Sequence, residues 1–108
     1  MKLKPKRSEL ELYCIYDKVC QHFGFIITEI NRPEKPPGIV MIKHIARYIC
    51  FKRTDFSFTK IGAVVGGNKN KAVSYSIKTI EGLIKPLSNG KIQDERLRDQ
   101  IEFLIKWI

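Results

Sequence analysis

Four consecutive polar residues, Asn68, Lys69, Asn70 and Lys71, follow the pair Gly66-Gly67 and open a segment with helical apolar spacing. Side chains of these types at the start of a helix suit an acidic polymer. An Asn amide can bond the N6/N7 edge of adenine twice, and a Lys ammonium can reach guanine O6 and N7. Asn68 or Asn70 could equally serve as the helix N-cap, with the lysines simply solvated. Further along, Val73, Ile77, Ile80 and Ile84 fall at i, i+4, i+7 and i+11, which commits one face to a core. Steps of about 100° per residue place Lys71, Ser74, Tyr75, Lys78, Gly82 and Lys85 on the opposite face. That face carries cations, an aromatic ring and a hydroxyl, but no acid. Its chemistry fits phosphates and base edges. Tyr75 could stack on a sugar or donate to a phosphate, or it could pack at the edge of the core.

The elements that must position these residues read as a helix-turn-helix over about 57–85. Phe58, Ile61, Val64 and Val65 repeat at helical spacing in a first short helix, with Ser57 as its N-cap. Gly66-Gly67 supplies the turn, and the basic segment is the second helix. Upstream, a helix is expected from about Ile39 to Arg53, with Ile42, Ile45, Ala46 and Ile49 inward. Lys43 and Arg47 then share a flank (i, i+4), and Val40 and Phe51 point outward. The connector Arg32-Pro33-Glu34-Lys35-Pro36-Pro37-Gly38 cannot be helical inside, because three prolines remove donors and clash with the preceding turn. Ser8-x-x-Glu11 reads as a capping box for a first helix that Gly24 stops. A single helical turn is expected between Phe25 and Asn31, and a last helix from about Asp94 to Ile108. The expected fold is all-α, with five or six helices in one domain (8–108) behind a disordered basic arm (1–7).

The chain has 108 residues and a formal net charge of +9. Its cations are not evenly spread. Lys2, Lys4, Lys6 and Arg7 occupy the arm, and residues 32–85 hold eleven cations against Glu34, Asp55 and Glu81. Helix 1 is net acidic, and the last segment is balanced. A domain made basic by one stretch has the electrostatic footprint of a nucleic-acid binder. Lys43, Arg47, Lys60 and Lys78 are the candidate phosphate clamps. Arg32 and Lys35 could enter an adjacent minor groove, where a narrow A·T tract favours Arg. A membrane surface fits less well, since the second helix has no Trp or Phe on its basic face. No run of apolar residues is long enough to cross a bilayer, and no signal-peptide pattern opens the chain, so a cytoplasmic, nucleoid-associated protein is expected.

Cys14, Cys20 and Cys50 make an odd count and are expected as buried or half-buried free thiols. His22 and His44 have no companions at metal-ligand spacing, so neither metal nor cofactor is expected. No Ser or Cys nucleophile has an evident base, and the chain does not read as an enzyme or as a small-molecule binder.

The order of these segments resembles the C-terminal DNA-binding domain of the bacterial replication initiator DnaA, part of a helical group that includes the Trp repressor. The resemblance covers about Leu12 to Trp107. It rests on Ser57-Phe58-Thr59-Lys60-Ile61-Gly62, on Gly66-Gly67, and on Val73, Ser76, Lys78 and Ile80. It implies a partner in double-stranded DNA, the second helix in the major groove, and a basic loop at Arg32–Lys35 beside it. Where that family usually writes Arg-Asp-His-Thr-Thr to read its own box, this chain has Asn68, Lys69, Asn70, Lys71 and Ala72. The scaffold is retained and the reading residues differ. These 108 residues contain no G-x-x-x-x-G-K-[ST] phosphate loop, so the ATPase module of an initiator is not expected within them. The rival reading is a module that docks on a replication protein, with Val40 and Phe51 as anchors. Those two could also cover helix 1 or line a homodimer seam.

Overall fold

The computed structural model describes residues 6–30, 38–65 and 70–107. Six helices follow one another: α1 (Lys6–His22), α2 (Ile27–Ile30), α3 (Ile39–Arg53), α4 (Phe58–Val64), α5 (Asn70–Ile84) and α6 (Glu95–Trp107). No strand occurs among the described residues. The all-α fold expected from helical periodicity is therefore the fold observed.

The helix ends follow from local chemistry. Gly24 (φ 85°) takes the left-handed position after α1. This lets Gly24 N–H donate to Gln21 O (3.0 Å) and Phe25 N–H to Cys20 O (2.9 Å), the paired bonds of a Schellman stop. Ser57 caps α4, its hydroxyl accepting from Lys60 N–H at 3.1 Å. Thr54 closes α3, donating to Cys50 O from both its backbone N–H and its hydroxyl. Asp94 caps α6 through Leu97 N–H (3.0 Å), and its own N–H donates to Leu83 O (3.0 Å). The start of α6 is thereby bonded to the end of α5.

Two expectations about the N-terminus are corrected. Helix α1 begins at Lys6, so Lys6 and Arg7 belong to it rather than to an arm. Ser8 and Glu11 lie within the helix. A serine inside a helix costs only tenths of a kcal/mol relative to alanine, so the Ser8 signal was not enough to start the helix there. Residues 1–5, 31–37 with most of the proline connector, 66–69 and 108 lie outside the described residues.

Helix α3 sits at the centre, packed against α1, α4, α5 and α6. Every residue from Ile42 to Cys50 is buried, including Lys43, His44 and Arg47. Leu12, Tyr16 and Val19 of α1, Ile61 and Val65 around α4, Val73 and Ile80 of α5, and Ile101 and Leu104 of α6 close over it. Along Ile42–Cys50 the helix has no exposed flank, and this overturns the placement of Lys43 and Arg47 on one. Val40 does point outward, whereas Phe51 is half-buried and meets Phe58 edge-to-face at 5.7 Å. Cys20 and Cys50 are buried free thiols, pushed up to about 11 and about 12 respectively by desolvation. Cys14 is exposed rather than buried.

Candidate nucleic-acid interface

Helix α5 is two-sided. Val73, Ser76, Ile77 and Ile80 are buried against α3 and α4, while Lys71, Tyr75, Lys78, Gly82 and Lys85 are exposed and Ser74 is half-buried. Tyr75 is 65% exposed, so most of its ring projects from the helix. Lys85 is paired with Glu81 at 3.4 Å. Lys71, Tyr75 and Lys78 share the open face one helical turn apart. No acidic residue stands among them, so the potential there is positive. Lys60 is exposed in the first turn of α4. Asn70 is the first residue of α5. Asn68, Lys69, Arg32 and Lys35 fall outside the described residues.

Arg47 was expected on the outer surface and is instead only 6% exposed. Its Nε donates to Val65 O (3.2 Å) at the C-terminal end of α4, and an Nη donates to Ser76 Oγ (3.0 Å) on α5. Two donors of one rigid fork thus join α3 to both helices of the helix-turn-helix. The free carbonyl end of a helix is electrostatically suited to a cation. Burial lowers the Arg47 pKa from its ordinary value, with Tyr16 opposing. Lys43 is likewise buried, at 8% exposure.

His44 completes this arrangement and was not among the expected site residues. Its Nδ1 lies 2.7 Å from Ser76 Oγ, and its ring meets the Tyr75 ring at 5.6 Å in an edge-on arrangement. Burial lowers the His44 pKa, and the neighbouring Arg47 charge lowers it further. Both effects favour the neutral imidazole. Ser76 accepts from Arg47, and with the ring proton on Nε2 its own hydroxyl proton goes to His44 Nδ1. A signal for this was present in the sequence. Ser76 falls on the core side of α5 among Val73, Ile77 and Ile80, and a buried hydroxyl needs partners. The partners themselves lie 29 and 32 residues away, beyond the reach of spacing arguments.

The arrangement of a short capped helix followed by a two-sided one has a counterpart among known families. A family model described as the bacterial dnaA protein helix-turn-helix matches residues 13–80. The chain belongs to this family. The chromosomal replication initiator protein DnaA of Geobacter metallireducens is 28% identical over 101 residues, covering 94% of this chain and 21% of that protein. DnaA of Bacteroides thetaiotaomicron is 31% identical over 67 residues, covering 62% of this chain and 14% of its own length. The chain thus spans about a fifth of the length of the first of these relatives and less of the second. No solved structure matches it significantly. The matched segment takes in α2, α3 and α4 with most of α1 and α5, and α6 lies C-terminal to it. Among the described residues no helix is long and apolar enough to cross a membrane.

Proposed function

We propose that this chain binds double-stranded DNA with α5 in the major groove, in replication initiation or its regulation, or in transcription control. The observation that carries the reading is the division of α5, with an acid-free face of Lys71, Ser74, Tyr75 and Lys78 opposite a buried one. Membership of the DnaA helix-turn-helix family supports it independently. A major groove about 12 Å wide admits one helix, whose N-terminal residues meet the base edges. Asn68, Lys69, Asn70 and Lys71 are assigned there, with Ser74 and Tyr75 one turn further on. Lys60 and Lys78 take phosphates on either side, and Arg32 and Lys35 the neighbouring minor groove. The reading residues differ from the family's usual set, so the preferred sequence differs from the family's own box. Arg47 and Lys43 are left out of the contact set because they are buried.

The test is selection from a randomised duplex library at two salt concentrations, followed by sequencing of the bound fraction. If about six phosphates are contacted, log affinity should fall with log salt at a slope near −5. An enriched motif that an Asn70→Ala/Lys71→Ala double variant no longer selects is the expected result. Binding without a motif would reduce the reading to non-specific association. Failure to bind at low salt would reject it and favour docking on a replication protein.

A further inference from the structure

The recognition face and the core meet at one ring. Tyr75 and Ser76 are adjacent in sequence but lie on opposite sides of the α5 boundary, one 65% exposed and the other fully buried. His44 touches both, with Nδ1 at 2.7 Å from the Ser76 hydroxyl and its ring edge-on to Tyr75. We propose, building on the DNA-binding reading, that His44 is a positioning residue that sets the pose of Tyr75 and makes duplex binding weaken when the ring is protonated.

Ser76 owns one proton and accepts from the Arg47 guanidinium at 3.0 Å. With a neutral ring carrying its proton on Nε2, the chain runs in one direction, Arg47 N–H to Ser76 Oγ and Ser76 O–H to His44 Nδ1. A protonated ring has no acceptor at Nδ1 and must donate. Two cations then point at one hydroxyl, and the serine proton loses its acceptor. The groups facing the ring are Ser76 and Tyr75 from α5 and Arg47 from α3, while Tyr16 of α1 acts on Arg47 in turn. Among the described residues, α4 contributes the Val65 carbonyl to Arg47, and Arg47 is the charge that acts on the ring. No described carboxylate offsets the second positive charge there. The protonated ring is therefore driven from its seat, and Tyr75, which leans on it, loses its support.

Ordinary electrostatics points the other way. Lowering pH makes any basic protein more cationic and tightens its hold on phosphates. A loss of affinity below pH 6.5 therefore separates this device from general charge. The His44→Asn variant keeps an acceptor near the position of Nδ1 but cannot titrate, and His44→Gln serves if that variant fails to fold. Affinity for the selected duplex is measured at constant ionic strength at pH 7.5 and 5.5, with circular dichroism at each pH to show that the proteins are folded. The native chain should lose affinity on going from pH 7.5 to 5.5, and the variant should not. In parallel, proton NMR of the free native chain follows the Tyr75 ring and the His44 ring through the same range. Their shifts should move with one midpoint. Superimposable pH profiles of native chain and variant, or a Tyr75 ring that stays in place while His44 titrates, would overturn the inference. A chain that binds no duplex at any pH would reject the DNA reading instead, and the NMR titration alone would then decide whether His44 sets Tyr75.

Discussion

Replacing Ser76 by alanine isolates the polar centre of the fold with a single-atom change. The side chain is fully buried, so deleting Oγ adds no solvent-exposed surface and leaves a void smaller than a methyl group. It strands two partners at once: His44 Nδ1, 2.7 Å away, and one Arg47 N–H, 3.0 Å away. A buried group left without its hydrogen bond costs roughly 1–3 kcal/mol, more when charged. Arg47 retains its bond to Val65 O, so its loss is partial. The sum is about 2–4 kcal/mol, against a total stability of about 5–15 kcal/mol for a domain. At about 2.1 cal/mol/K per residue of unfolding entropy, the Tm of a chain this long should drop by roughly 9–18 °C. Urea unfolding followed by circular dichroism, with native m-value, measures the free energy directly. An Arg47→Met partner variant then closes a double-mutant cycle. Residues in one network should cost less together than their separate losses sum to. A loss below about 0.5 kcal/mol for Ser76→Ala, or strict additivity with Arg47→Met, would refute the relay described here.

The remaining expectations are simpler. The His44 pKa is lower in the fold than in the unfolded chain, so the unfolded state takes up the proton first. Stability should be fully present above about pH 6.5 and should fall as pH drops below it; a His44→Asn protein should show a flatter profile of Tm against pH. Ser57→Ala removes the cap on Lys60 N–H and should cost about 1 kcal/mol in a urea titration. Lys71→Ala should weaken a selected duplex more than random DNA, by about 1–3 kcal/mol, if it reads a base. Equal loss on both would reassign it to phosphate. Lys60→Ala should weaken all sequences alike and reduce the salt slope by about one.

Much of the architecture was legible because local rules decide it. Helices α3, α4 and α5 fall where periodicity puts them, and Ser57, Gly24 and Asp94 act at helix ends for reasons confined to a few neighbouring residues. The open face of α5 was readable for the same cause. One apolar stripe fixes which side is buried, and the opposite side follows by geometry. The α1 start was misjudged because a capping signature competes with continued helix at an energy difference of only tenths of a kcal/mol.

Arg47, Lys43 and His44 mark where local reading stops. On a helical wheel Lys43 and Arg47 form an ordinary charged flank, and a lone histidine beside them carries no signal. Their burial is decided by how many helices surround α3, and that number depends on contacts with segments tens of residues away. Sequence by itself determined an all-α basic domain with a helix-turn-helix and a cationic outer face, because these depend on periodicity, capping and charge. Only the tertiary structure turned Arg47 inward to clamp α4 and α5, and set His44 between Ser76 and Tyr75. A hydrogen bond between residues 29 or 32 apart has no periodicity to betray it until the helices have packed.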